Sequence, residues 1–202
     1  ITTSSLAAKV DFATGNGPKS LAIRDFDGDG KFDIVVANSS SNTLSVLRNV
    51  AMSGSINSSS LMAKVDFTTG SSPNSVIAGD VDGDGKPELI NINVNSNTVS
   101  VYRNLAIAGT INGSSFATRV DFTTGVGPYD LALADVDGDG KSDLVVVNSD
   151  ATSANSISIL RNTATSGTIS SASFATKVDF ATAQNPHYLT ISDFNGDGKV
   201  DI

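Results

Sequence analysis

Thiols and indoles are missing from this chain, whose 202 residues include no cysteine, no tryptophan and a single histidine, His187. Without cysteine there is no disulfide framework, no thiolate metal site and no cysteine nucleophile, and the redox compartment cannot be read from the sequence. With one histidine, a serine–histidine–aspartate arrangement has only one place to be built. Bases are also scarce, 13 against 21 acids for a net charge of −8, which excludes a basic groove for nucleic acid or anionic lipid. No apolar run approaches the roughly 20 residues of a spanning helix, so no membrane insertion is expected. No charged-then-apolar leader opens the sequence, and "ITTSSLAAKV" reads as a processed end or a boundary.

Acid is abundant, and it is concentrated. Fifteen of the 21 carboxylates fall in four nine-residue windows, "DFDGDGKFD", "DVDGDGKPE", "DVDGDGKSD" and "DFNGDGKVD". Like charges packed this closely repel one another unless a cation sits among them. One divalent ion in each of the four windows would bring the net charge of −8 close to neutrality.

The windows recur with a period. Asp25, Asp80 and Asp135 are spaced by 55 residues and Asp193 follows after 58, and the same intervals relate Leu6, Leu61, Phe116 and Phe174. The three extra residues lengthen a Ser/Asn loop, where "NSSSNT" becomes "NSDATSANS", a place where growth costs little. The chain divides into units 1–55, 56–110, 111–168 and an incomplete 169–202. Each unit offers "AKVDF", a Gly/Pro turn, a segment such as "LAIRDF", the acidic loop, a buried-looking run such as "DIVVAN", and "TLSVLRN", whose alternation predicts a half-exposed strand. No segment has helical periodicity.

Four strands per unit of 40 to 60 residues is the size of a propeller blade, whereas a β-sandwich gives no reason for one acidic loop in every set of four. The expected fold is all-β, a β-propeller of four-stranded blades with about three complete blades plus complementary partial blade strands at the two ends. Those strands, the first "AKVDF" and the final "YLTISDF" and "KVDI", would close a strained four-bladed ring, meet across two chains, or belong to a longer chain. The last two are favoured, because open strand edges are templates for strand addition.

The turns "DFATGNGP", "DFTTGSSP" and "DFTTGVGP", the DxDGDGxxD loops and "VVANSSSNTLSVLRN" resemble the FG-GAP or VCBS repeat family, seen in integrin α-subunit propellers and bacterial extracellular proteins. The fourth copy departs from the pattern with "DFATAQNP" and with Asn195 in place of an aspartate.

Within each loop, glycines at the fourth and sixth positions allow side chains at the first, third and fifth to converge, while the ninth closes the shell and the seventh supplies its carbonyl. The ligand sets are Asp25, Asp27, Asp29, Lys31 and Asp33; Asp80, Asp82, Asp84, Lys86 and Glu88; Asp135, Asp137, Asp139, Lys141 and Asp143; and Asp193, Asn195, Asp197, Lys199 and Asp201. An all-oxygen donor set in a flexible loop selects calcium, about four ions in all, and the family resemblance implies calcium as well. An EF-hand is excluded because its twelfth position here is Val36 and β-like segments flank the loop. Ion-free Asp-Gly turns are the bland alternative, but turn chemistry alone does not require four copies of one ligand spacing.

Other positions point elsewhere. Tyr129, His187 and Tyr188 vary between units and are candidates for stacking on a sugar or contacting a partner. Arg48, Arg103 and Arg161 recur, as do Asp11, Asp66, Asp121 and Asp179, and they are expected to pair across outer strands. Asn38, Asn57 and Asn112 head glycosylation sequons. Only Asp130 and Asp150 lie outside the repeated acidic positions, too few for the paired carboxylates of a glycosidase. The expectation is a non-enzymatic, calcium-stabilised extracellular or cell-surface module that binds protein or glycan. The alternative is a structural segment of a surface fibre, self-associating or continued by further blades.

Overall fold

The computed structural model describes residues 7–150 and 155–202. Three four-stranded antiparallel sheets succeed one another along the chain. The first orders β1 (Pro18–Arg24), β2 (Asp33–Asn38), β3 (Thr43–Leu47) and β4 (Val65–Thr68) side by side. The second repeats this with β5 (Pro73–Gly79), β6 (Glu88–Asn93), β7 (Thr98–Tyr102) and β8 (Val120–Thr123). The third has β9 (Pro128–Ala134), β10 (Asp143–Asn148), β11 (Ser156–Leu160) and β12 (Val178–Ala181). One 3-10 turn, Val94–Ser96, is the only helical element among the described residues.

Every sheet takes its fourth strand from the "VDF" of the following repeat, so the covalent period and the sheet are offset by one strand. The acidic loop joins the first two strands, in register so that Arg24 faces Asp33. Second strands are buried along their whole length in β6 and β10 and at all but Ile34 in β2, as largely apolar strands between two neighbouring layers should be. Two apolar clusters fill the spaces between sheets, one around Val35, Leu44, Val46 and Leu89, the other around Ile90, Val99, Leu144 and Val146. An aromatic from the next repeat seals each cluster: Phe116 meets Phe67 edge-on at 5.2 Å, and Phe174 meets Phe122 at 5.1 Å.

Third strands differ from expectation. Their polar face is buried, not half-exposed: Ser45 accepts from Asn38 Nδ2 at 2.9 Å and donates to Asp66 at 2.6 Å. Ser100 and Ser158 repeat the arrangement with Asn93 and Asp121 and with Asn148 and Asp179. A buried hydroxyl is tolerated only when so satisfied. The same network explains a glycine: a Cβ on Gly70 would stand 2.7 Å from Asn93 Cγ, so the turn before each first strand passes too close to the buried asparagine for any side chain.

The two ends also differ from expectation. Residues 7–12 form no strand, and the fourth repeat contributes one antiparallel bridge, Ser192 to Asp201, in place of two strands. Residue 6 of the first repeat, and residues 151–154 of the lengthened Ser/Asn loop, lie outside the described residues. Among the described residues no helix is long and apolar enough to cross a membrane.

Candidate metal centres

The carboxylates of the acidic loops converge. Single oxygens of Asp25, Asp27 and Asp29 lie within 4.8 Å of one another, as do those of Asp80, Asp82 and Glu88, and of Asp135, Asp137 and Asp143. Among the described residues the fourth loop assembles no such triple, and Asn195 stands where the others have an aspartate.

The backbone builds this geometry locally. Gly28 and Gly30 adopt φ of 68° and 85°, which folds the loop back so that amides point at the first carboxylate. Asp25 accepts from Asp29 N at 3.2 Å and Gly30 N at 2.8 Å, and Asp29 accepts from Lys31 N at 2.9 Å. Asp80, Asp135 and Asp193 are held in the same way by the amides of Gly85, Gly140 and Gly198, each at 2.9 Å. At Asp193, amide hydrogen bonds, led by Gly198, hold the carboxyl below the usual range. Lys86, Lys141 and Lys199 likewise turn their N–H groups to the fifth-position aspartate, at 2.9, 3.0 and 2.9 Å.

The ninth residue is a tie as well as a donor. Asp33, fully buried, accepts from Phe26 N at 3.0 Å and from Asn49 N at 2.8 Å, joining the loop to the end of the third strand. Glu88 does the same with Val81 N and Asn104 N, and Asp143 with Val136 N and Asn162 N. Asp201 retains only the first of these bonds, to Phe194 N. Burial pushes Asp33 up to about 6 and Glu88 up to about 7, with the neighbouring aspartates adding to the effect. A cation beside them would reverse it.

The recurrent arginines are not where the sequence placed them. Arg48 pairs through Nε with Asp27 and through Nη2 with Asp29 at 2.7 Å, within the acidic loop of its own sheet. Arg103 reaches Asp82 at 3.2 Å and Asp84 at 3.6 Å, and Arg161 reaches Asp137 at 2.6 Å and Asp139 at 3.2 Å. The "VDF" aspartates instead pair with the base two residues earlier: Asp11 with Lys9, Asp66 with Lys64, Asp121 with Arg119 and Asp179 with Lys177. Burial works against ionisation at Asp66 and Asp179, but the lysine and serine beside each carboxyl outweigh it and hold it low. The recurrence of "RN" after each third strand was the available sign that these arginines belong to the loops.

One guanidinium does not balance four carboxylates, so each of the first three loops keeps an excess of negative charge in an all-oxygen environment. That donor set fits a hard divalent cation. The first- and third-position carboxylates of these loops, oriented by loop amides and by arginine, would present oxygens to it, with Asp29 completing the set in the first loop and Glu88 and Asp143 in the second and third, where the sequence pattern points to the fifth position.

The next repeat then covers the loop. Asn104 Nδ2 donates to Phe26 O at 2.9 Å, and Gly109 N donates to Asp27 O at 3.2 Å. One repeat on, Asn162 Nδ2 donates to Val81 O at 2.8 Å and Gly167 N to Asp82 O at 3.0 Å. Beside each clasp lies a cleft, of about 460 and 440 Å³, between the loop and the following sheet.

Of the remaining predicted residues, Tyr129, His187 and Tyr188 come together: Tyr129 stacks on His187 with ring centroids 4.5 Å apart, and Tyr188 stands edge-on to both. Asn57 and Asn112 are exposed in turns, where their side chains accept from Ser59 N and Ser114 N. Asn38 is a correction, because it is fully buried in β2 with its Nδ2 bonded to Ser45 and Thr43, so no glycan can attach to it in the folded protein.

No curated protein matches the chain at a significant level. The sequence pattern of the FG-GAP-like repeat matches residues 25–91, 91–146 and 135–202, three segments that together take in all four acidic loops. Repeat spacing, four-stranded sheets and loop geometry thus agree with that match, and the chain belongs to the FG-GAP-like repeat family.

Proposed function

We propose that the protein is a calcium-stabilised, non-enzymatic binding or adhesion module that works outside the cell, as a β-propeller segment whose ligand is a protein or glycan. The observation that carries this reading is the triple repetition of a converged carboxylate set, each tied to its own sheet and the first two clasped by the next repeat. Ion binding at such a hairpin becomes folding free energy, because the unfolded chain offers no assembled site. Affinities of roughly 10⁻⁴ to 10⁻³ M suit extracellular calcium and would leave the loops empty in a cytosol. The non-enzymatic reading is supported by the lone histidine, which stacks on Tyr129 at the surface.

Thermal melting in calcium and after chelation tests it. A hundredfold excess of calcium over Kd contributes about 2.7 kcal/mol per site, so EDTA should lower the Tm by well over ten degrees. An unchanged Tm would identify the loops as ion-free turns.

A second reading, a segment of a self-associating surface assembly, is favoured by the end faces. Leu21 and Ile23 of β1 are 57% and 51% exposed, and Phe180 of β12 is 53% exposed although its counterparts Phe67 and Phe122 are buried. Further blades of a longer chain would cover the same faces. Light scattering of calcium-loaded protein separates the two: concentration-dependent growth supports assembly, and a constant monomer mass rejects it.

A further inference from the structure

The starts of the first strands of three repeats, and the equivalent segment of the fourth, converge on one cavity of about 320 Å³. Lys19, Asn74, Tyr129 and His187 are one repeat apart, and so are Ser20, Ser75, Asp130 and Tyr188. Residues from all four repeats thus meet around a common point, with β5 packed between β1 and β9. While the acidic loops and "VDF" are copied almost unchanged from repeat to repeat, these two rings of positions hold a different residue in nearly every copy. A role shared by every blade cannot explain them. A role performed once, by the group of four, can.

The lining has a definite chemistry. Tyr129, half-buried, is backed by the exposed His187 ring in a stack tilted by 20°, so one wall is a stiff aromatic plate. Tyr188 forms a second wall nearly perpendicular to it, at 88°, and is 80% exposed, so most of its surface meets no protein group. Between them the Asp130 carboxylate is held in place, accepting from Ser75 Oγ at 3.3 Å and from Leu189 N at 3.2 Å. Asn74 is fixed by donating to Tyr129 O at 3.0 Å, which leaves its side-chain oxygen as an acceptor. Lys19, exposed, and Asp130 are the two charged residues of the lining, one of each sign, so the cavity has no net charge to offer an ion.

We propose that this axial cavity is a binding site for a neutral hexopyranose, free or as the terminal residue of a glycan, with Tyr188 and Tyr129 taking its C–H faces and Asp130 and Asn74 its hydroxyls. Orthogonal aromatic plates suit a ring with apolar faces and a polar rim, and fixed acceptors reward hydroxyls that lie in the plane between them. The volume stands at the low end of the roughly 300 to 1,000 Å³ of small-molecule sites, the size of one sugar and not of a peptide. This inference deepens the binding-module reading and rests on it for the kind of ligand, but its geometry does not depend on the metal loops.

The test is saturation-transfer NMR on the calcium-loaded protein with the methyl glycosides of galactose, glucose, mannose and N-acetylglucosamine, and with methyl glucuronide as an anionic control. At least one neutral glycoside should bind saturably and in preference to the glucuronide. Tyr188→Ala, at an exposed position whose loss cannot unfold the chain, should weaken that binding about tenfold. Asp130→Asn should weaken it while leaving the melting temperature and its calcium response as in the parent. No signal from any neutral glycoside, preference for the glucuronide, or binding unaltered by both substitutions overturns the proposal. The calcium reading fails separately, by a melting temperature insensitive to EDTA while the sugar signal persists.

Discussion

Of the three acidic loops whose carboxylates converge, two are roofed and one is open, although their sequences are nearly the same. In loops 25–33 and 80–88 the central aspartates, Asp27 and Asp82, are 3% exposed, each beneath an asparagine and a glycine amide from the following repeat. In loop 135–143 the equivalent Asp137 is exposed, and no described residue donates to the carbonyls of Val136 or Asp137. Arg48 and Arg103 are correspondingly sunk, while Arg161 is 56% exposed at its side chain. The difference shows that a repeat supplies the ligands of its loop but not the loop's environment, which the next repeat supplies.

Removing the arginines should break the comparison most sharply. Arg48→Ala strips the guanidinium from a carboxylate whose side chain is fully buried, and breaking such a pair typically costs about 3 kcal/mol. Arg161→Ala removes a pair of which both members reach solvent, where the expected cost is at most about 1 kcal/mol. Denaturant unfolding in EDTA measures both. Saturating calcium should recover most of the Arg48→Ala loss, since the ion then supplies the missing positive charge. Equal costs for the two substitutions would show that the roof does not matter.

These arginines also mark where reading the sequence stopped. The repeat, the all-β sheets and the gathering of carboxylates in the first three loops were legible, because each follows from local spacing, but in the second and third loops the ninth residue joins the set where the fifth was expected, and the fourth loop assembles none. Arg48 was not, because its partner depends on register. It lies one residue beyond β3, whose Leu47 faces Ile34, and so it reaches the loop before β2, while Asp66 faces Ser45 further along the strand. Third-strand alternation separates polar from apolar and not wet from dry, since both faces of β3 are covered. The sequon at Asn38 failed for the same reason, since burial is decided by neighbouring sheets that a tripeptide does not mention.

Proton linkage sharpens the comparison further. Glu88 and Asp33, in the roofed loops, have folded-state values raised by burial to about 7 and about 6. A raised carboxyl binds more protons folded than unfolded, so its protonated form favours the fold. In EDTA, stability from these groups should be present near pH 4 and decline as pH rises to about 7. The expected loss is on the order of 2 kcal/mol, and Glu88→Gln should remove about half of it, Asp33 accounting for the rest. Calcium reverses the sign, because it binds the ionised carboxylates and its stabilisation grows over the same window. Chemical unfolding across that range, with and without the ion, tests both slopes. Parallel slopes would mean that Glu88 is not in contact with the bound cation.

The smallest effect is the most direct test of the roof itself. Asn104 Nδ2 donates to Phe26 O in the preceding loop at 2.9 Å and to Pro87 O in its own at 3.0 Å, whereas Asn49, one repeat earlier, donates to Phe32 O alone at 3.0 Å. Both asparagines also accept from an amide two residues on, so that contribution cancels between them. Asn104→Ala should therefore cost about 1 kcal/mol more than Asn49→Ala. It should also weaken calcium binding at loop 25–33, whose ligands it never touches, because an unclasped Phe26 carbonyl frees the hairpin that carries them. Titration calorimetry would show this as a shift of one site from the tighter class toward the affinity of the open loop. If Asn104→Ala lowers stability but leaves every calcium site as it was, the repeats are glued together independently of the ions, and each loop is complete in its own sheet.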